Sequence, residues 1–163
     1  MNKPQHIAIR RFRKSDLYPL LGLIHQTIDI SYSKAYPARA VQFFKELHSE
    51  QKLRERGRKG VIFVVEESNE MIATGSLVDG EIFAVFVHPN FQQGGYGKSL
   101  MLILENEALE QGIIEVELSI SLPSLNFYQG LGYEIIEKRS RDVGGGQQLD
   151  FWKAKKLLIS TAP

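Results

Sequence analysis

The sequence predicts an α/β (α+β) domain, a mixed central sheet of about seven strands with helices on both faces. Three observations carry this expectation. Apolar residues repeat at helical spacing through two stretches before Gly57. From Val61 onward the pattern changes to short β-branched runs separated by turn signals. A strand–helix–strand stretch then follows, and such a crossover makes the strands on its two sides parallel.

Taken in order, the alternation from His6 to Phe12 reads as a strand. Asp16 is a good N-cap for the next element, and Pro19 falls in its first turn, where a missing N–H is harmless. Leu17, Leu20, Leu21, Ile24 and Ile28 repeat at helical spacing, so this helix buries one face. Ser31 to Pro37 breaks the pattern and reads as a loop. A second helix is expected from Ala38 to Arg56, with Val41, Phe44, Leu47 and His48 as its apolar stripe. Arg54 and Arg56 suit a helix C-terminus, and Gly57 suits the position just past it. Val61–Val65, Ile72–Leu77 and Ile82–Val87 form an antiparallel meander. Its turns are Ser68-Asn69-Glu70 and the strong two-residue hairpin signal Asp79-Gly80. A glycine-rich turn, Gln92 to Gly97, leads into a helix whose buried face is Leu100, Met101, Leu104, Ala108 and Leu109, closed by Gly112. Ile114–Ile120 is the next strand, and a short helix from Ser124 to Leu131 stops at Gly132. Two final strands, Tyr133–Arg141 and Gln148–Lys155, flank a flexible Gly144-Gly145-Gly146 link.

Composition narrows the function. The 163 residues are 43% hydrophobic and 24% charged, ordinary usage for one globular domain. Lysine plus arginine is 20 and aspartate plus glutamate 19, a formal charge of +1, which supports neither a nucleic-acid coat nor a polybasic membrane anchor. Cysteine is absent, so disulfides, thiolate metal sites and a cysteine nucleophile are excluded together. The opening MNKPQHIAIRRFRK lacks the apolar run of a signal peptide, and no apolar run approaches the ~20 residues of a membrane helix. The expectation is a soluble, single-domain, cytoplasmic protein. His6, His25, His48 and His88 show no metal-ligand spacing, so no metal site is read. Lys52, Arg54, Arg56, Arg58 and Lys59 read as a solvated helix end rather than a binding patch.

The segment Val87-His88-Pro89-Asn90-Phe91-Gln92-Gln93-Gly94-Gly95-Tyr96-Gly97-Lys98-Ser99-Leu100 joins a strand end to a helix N-terminus. Free N–H groups and the positive end of a helix dipole meet there, and glycines let a phosphate approach the backbone. The same glycines also suit a tight turn that binds nothing. Two named phosphate motifs fail. A Walker A loop needs glycine where Gln92 stands, and a dinucleotide fingerprint needs glycine where Leu100 stands.

A third pattern fits. Gln92-x-x-Gly95-x-Gly97, preceded by Val87-x-Pro89 and followed by Leu100, resembles the acyl-CoA signature of the GNAT superfamily of N-acetyltransferases. The order of elements resembles the GNAT fold over essentially the whole chain, residues 1–163. Phe127-Tyr128 followed by Leu131-Gly132-Tyr133 resembles the family's Phe-Tyr-x-x-Leu-Gly-Phe ending. The resemblance implies acetyl-CoA as the acetyl donor. It implies cofactor contacts from Gln92, Gln93, Gly94, Gly95, Tyr96, Gly97, Lys98 and Ser99 in the loop, from Phe86 and Val87 beside the acetyl end, and from Ser121, which stands where the family often has asparagine. The fourth and fifth strands are expected to splay apart around the pantetheine arm.

Acetyl transfer to an amine needs a donor for the developing oxyanion, a neutral amine, and a proton for the departing thiolate. By family position Tyr128 is the candidate acid, since a phenol with pKa near ~10 is roughly matched to an alkyl thiol. The alternative is an aromatic that anchors the short helix, and Phe127 beside it reads as core. Glu81, eleven residues before Gln92, is the candidate base, at the separation found in the histone-acetylating branch of the superfamily. Strand alternation places Glu81, Phe83, Val85 and Val87 on one face. The alternative for Glu81 is a solvated acid beside the Asp79-Gly80 turn. Tyr32 and Tyr36 either shape an aromatic acceptor pocket or pack. The leading function is acetyl transfer from acetyl-CoA to a primary amine, on a small molecule or a peptide. The competing class is a non-catalytic acyl-CoA-binding module. By resemblance, the final strands are also candidate homodimer contacts.

Overall fold

The computed structural model describes residues 6–159, so the first five residues of the N-terminal segment lie outside it. Among the described residues, seven strands form one sheet. They are β1 (Ile7–Arg11), β2 (Val61–Glu67), β3 (Glu70–Val78), β4 (Glu81–Val87), β5 (Glu115–Ser121), β6 (Glu134–Gly144) and β7 (Gln147–Leu157), in spatial order β1-β2-β3-β4-β5-β7-β6. Every neighbouring pair is antiparallel except β4 and β5, which are parallel as the crossover predicts. Five α-helices join them: α1 (Leu17–Thr27), α2 (Ala38–Leu47), α3 (Glu50–Lys59), α4 (Tyr96–Glu110) and α5 (Leu125–Gly130).

The alternation of β2 shows how the sheet feeds two cores. Ile62 and Val64 join Leu17, Leu20, Ile24 and Leu53 on the α1/α3 side. Phe63 and Val65 join Leu100, Met101, Leu104 and Ala108 on the α4 side. The Asp79-Gly80 hairpin has positive φ at both residues (49° and 77°), as a primed two-residue turn requires.

Four expectations change. The long second helix is two helices. His48 leaves the helical region (φ −118°, ψ 41°), and Ser49 caps α3 by accepting the Lys52 N–H. Gly57 therefore lies inside α3, which runs on to Lys59. The first two residues of the expected Ser31–Pro37 loop belong instead to a π-helical turn, Ile28–Tyr32, a form often found at functional sites. Asp16 precedes α1, but its carboxylate accepts from the Arg10 guanidinium and the Arg13 N–H instead of capping that helix. The Arg10 hydrogen bond holds the Asp16 carboxyl below the usual carboxylate range. The last two strands are also longer than expected, leaving Gly145-Gly146 as a two-residue turn.

Candidate active site

Strands β4 and β5 are in register only at Glu81 and Glu117, where the Glu117 N–H also donates to the Gly80 carbonyl at 3.1 Å. Beyond that point they diverge into a wedge. A bulge in β4 accompanies the divergence. Ala84 takes φ 55°, and the β3–β4 register shifts between Thr74 and Ser76. An extra residue reverses the facing of everything after it. Phe83 meets Arg56 and His48, and after the bulge Phe86 returns to that same side, among the α1 and α3 residues. Val85 and Val87 face α4 with Ile82. The expected single face of Glu81, Phe83, Val85 and Val87 is therefore broken.

One cavity of about 490 Å³ opens beside the glycine turn. Its walls include Val85, Phe86, Val87, Gln92, Gln93, Gly95, Tyr96, Gly97 and Lys98 from the β4–α4 segment, with Phe127 and Tyr128 opposite. Gly95 is the residue before α4 and adopts φ 83°, which favours glycine. The first N–H groups of this 15-residue helix have no intrahelical acceptor, since the first α-helical bond runs from the Ser99 N–H to the Gly95 carbonyl. A Cβ on Gly94 would lie 2.9 Å from the Tyr96 ring, and one on Gly97 3.1 Å from Phe127. The turn is thus shaped for close approach to bare backbone, which fits a pyrophosphate. Gln92 serves the loop rather than open space, since its side-chain amide donates to the Val87 carbonyl at 3.0 Å. The His88 N–H bonds to Ile72 of β3, so alternation turns the Val87 N–H toward the wedge. Gly94 and Ser99 do not line this cavity. Ser121 lines the other one, with its hydroxyl on Ser124 at 2.9 Å. Phe127 is not core: it is 39% exposed and lies across Gly97.

The second cavity, about 260 Å³, lies between α2, the wedge and the β6–β7 hairpin. Its walls are rich in aromatic residues, including Tyr32, Phe43, Phe44, Phe83, Phe86 and Phe151. His48, 3% exposed, also lines it, with its ring against Phe83 and Phe86. Arg56 donates to His48 Nδ1 at 2.9 Å and lies 4.5 Å over the Phe83 ring. An arginine only donates, so the neutral His48 carries its proton on Nε2. Burial, with the Arg56 charge next, lowers the His48 pKa to about 3, and burial lowers Arg56 to about 10. Arg56 is thus no solvated helix end. The signal for the break that places it was present in the sequence as Ser49, a good N-cap.

Tyr128 borders both cavities, together with Tyr32, Val85, Phe86 and Ser124. The Tyr128 ring is edge-on to Phe127 and Tyr133, and burial, with Tyr32 beside it, raises its phenol pKa well above the ordinary value. The two tyrosines between the first helices divide the expected roles. Tyr32 lines both cavities, and burial pushes its phenol up. Tyr36 is a tie: its hydroxyl donates to the Asp150 carbonyl at 2.9 Å and accepts the Leu122 N–H at 2.7 Å. Glu81 borders neither cavity. Its side chain is 43% exposed at the apex of the wedge, 3.6 Å from Lys153. Among the described residues, no group of three or more His, Cys, Asp or Glu is placed to hold a metal, and no helix is long and apolar enough to cross a membrane.

The parallel-paired wedge, the glycine-lined helix start and the buried Tyr128 come together at these two adjoining cavities. The Acetyltransferase (GNAT) family profile matches residues 24–133, more than half of the chain, and the chain belongs to this family; it is an acetyltransferase. Solved structures share its fold. It superimposes on a GCN5-related N-acetyltransferase, "Aminotransferase, Class-II", from Rhodopseudomonas palustris with a TM-score of 0.84 at 18% identity, over 93% of this chain and 95% of that one. The PaiA N-acetyltransferase from Thermoplasma acidophilum, in complex with coenzyme A, gives 0.74 at 19% identity, over 93% and 99%. YncA from Salmonella typhimurium, a putative acetyltransferase with its cofactor acetyl-CoA, gives 0.67 at 19% identity, over 97% of each chain. No curated protein matches the sequence.

Proposed function

We propose that this acetyltransferase moves the acetyl group of acetyl-CoA directly onto a primary amine, with the donor entering from the loop cavity and the amine from the aromatic one. The observation that carries the reading is the position of Tyr128, on the walls of both cavities and beside the wedge. The structural relatives determined with coenzyme A or acetyl-CoA support the donor. Bound acetyl-CoA would supply an activated thioester carbonyl.

The chain's own residues do the rest. The amides that open α4, from Gly95 to Lys98, hold the pyrophosphate, where the helix dipole favours negative charge. The Val87 N–H, turned into the wedge, donates to the carbonyl oxygen as it gains charge. Tyr128 donates its hydroxyl proton toward the leaving sulfur. Burial raises the phenol, and it raises a thiol in the same place, so the two stay matched. The amine must be uncharged to attack. The unpaired charges of Arg56 and Arg141 beside the acceptor cavity disfavour an ammonium there, so its proton leaves to solvent without a dedicated carboxylate. Glu81, ion-paired at the apex, is not assigned that proton.

Titrating acetyl-CoA during thermal unfolding, followed by thiol-release assays with a panel of amines, tests the reading. Ligand at ~100 times its dissociation constant adds about 2.7 kcal/mol of stability. No shift at saturating acetyl-CoA removes the donor site. A shift without thiol release from any amine returns the protein to the acyl-CoA-binding class.

A further inference from the structure

The charges around the acceptor cavity are one-sided. Among its lining residues there is no aspartate or glutamate, and the one side chain with a full charge is Arg141. The Arg141 guanidinium lies 4.6 Å over the Phe43 ring and, among the described residues, forms no ion pair with a carboxylate. Behind the cavity wall stands a second such cation. Arg56 is 7% exposed, and its polar contact among the described residues is neutral His48. Elsewhere the chain pairs its buried charges: Asp16 and Glu66 hold Arg10, and Lys156 holds Glu105. The buried Arg56 behind the wall and the solvent-exposed Arg141 at its edge both lack a carboxylate, so the formal charge beside this cavity is positive.

We propose that the acceptor carries its own carboxylate: a small amino acid with an apolar side chain, its amine toward Tyr128, its carboxylate on Arg141 and its side chain among Phe43, Phe44, Phe83 and Phe151. This rests on the acetyl-transfer reading and names the substrate class of that site. A planar guanidinium matches a carboxylate bidentately, and a guanidinium stacked on an aromatic ring is held in place before the ligand arrives. The volume, about 260 Å³, is that of a metabolite pocket, below the roughly 300–1,000 Å³ of drug-sized sites. A polyamine would bring a second ammonium against Arg141 with no acid to receive it. The amine of a peptide N-terminus has no carboxylate beside it.

Thiol release is measured with phenylalanine, leucine and methionine, each beside its carboxamide, its decarboxylated amine and, separately, spermidine. At least one acid is expected to exceed both its amide and its amine in kcat/KM by about tenfold or more, mainly through KM, as for a charge-assisted hydrogen bond. In Arg141→Gln that ratio falls to within about twofold, while the acetyl-CoA thermal shift persists. Amides or amines that match the acids, or a preference for spermidine, overturn the proposal. Binding of N-acetylphenylalanine against N-acetylphenethylamine by calorimetry gives a readout without turnover. If no amine releases thiol, the transfer reading fails, while preferential, Arg141-dependent binding of the acid still upholds the carboxylate site. Equal binding of the two overturns it.

Discussion

The walls on the two sides of Tyr128 are made of different material. On the loop side the groups suited to a phosphate or a carbonyl are main chain: the turned Val87 N–H, the left-handed Gly95 and the first amides of α4. All of these come from one continuous segment, residues 85–98. On the other side they are side chains brought from α2, β4, β5, β6 and β7, with His48 at the break between α2 and α3. A backbone site depends on a few glycines and on where a helix begins, so it tolerates change in most side chains around it. A side-chain site depends on each residue that reaches it. On the proposed reading, the donor side is therefore the general half of this enzyme, and the acceptor side the particular half.

The boundary residue offers the largest test. Tyr128→Phe keeps the ring against Phe127 and Tyr133 and removes only the hydroxyl. Turnover is expected to fall about 10²–10⁴-fold, the usual weight of a general acid. The acetyl-CoA thermal shift should stay near the parent value. Equal turnover, with chemistry shown to be rate-limiting, would make Tyr128 a packing residue.

Next comes the donor side alone. Gly97→Glu places a carboxylate among the amides meant for phosphate and pushes a side chain at Phe127. An acid in the first turn of a helix does not harm the helix itself. The apoprotein should melt near the parent temperature, while the stabilisation of about 2.7 kcal/mol at ~100-fold excess over the parent dissociation constant disappears. A retained shift would move the pyrophosphate off this turn.

The acceptor side is probed by acid. His48 is neutral when folded, with its pKa lowered to about 3, but takes up a proton once unfolded below its ordinary value of 6.5. The unfolded state then binds more protons, so stability is complete above pH 6.5 and is lost as pH falls toward 3. The slope approaches about 1.4 kcal/mol per pH unit. Asp16, held down by Arg10, keeps its contribution above its ordinary value of 3.8 and loses it only below that, so the window from pH 6 to 4 belongs mainly to His48. Chemical denaturation across that window should show the slope in the parent and a flatter one in His48→Gln. Parallel curves would mean that the buried ring is not the source.

The smallest effect is expected at Glu81, which belongs to neither side. Its ion pair with Lys153 is long and partly exposed, and such pairs contribute about 0–1 kcal/mol. Glu81→Gln should leave the pH–rate profile nearly superimposable on the parent's. A loss at neutral pH that recovers as pH rises would restore Glu81 as the base.

The unequal legibility of the two sides follows from the same difference in material. Gln92, Gly95 and Gly97 announce the proposed donor site in the sequence because backbone geometry is set by residues close together in the chain. The β2–β3–β4 meander and the parallel pair were likewise readable, from hairpin signals and one crossover, whereas the place of β7 between β5 and β6 was not. Phe127 misled because an aromatic beside a tyrosine reads as core, and only the approach of α5 to α4 shows it lying across Gly97.

By itself, then, the sequence determined the seven strands, the buried faces of α1 and of α4 (Leu109 excepted, which is exposed), the glycine turn and the family of the chain, because each is written in local periodicity or in a short contiguous motif. Tertiary structure decided the acceptor side. The bulge at Ala84 reversed the facing of β4 beyond it, and the single β4–β5 pairing set Glu81 at the apex of the wedge. The break at His48 turned Arg56 inward under Phe83, and the long β6–β7 hairpin carried Arg141 across to Phe43. Those placements depend on the packing of elements up to a hundred residues apart. No local pattern encodes the field that two unpaired cations set up when the fold brings them to one cavity.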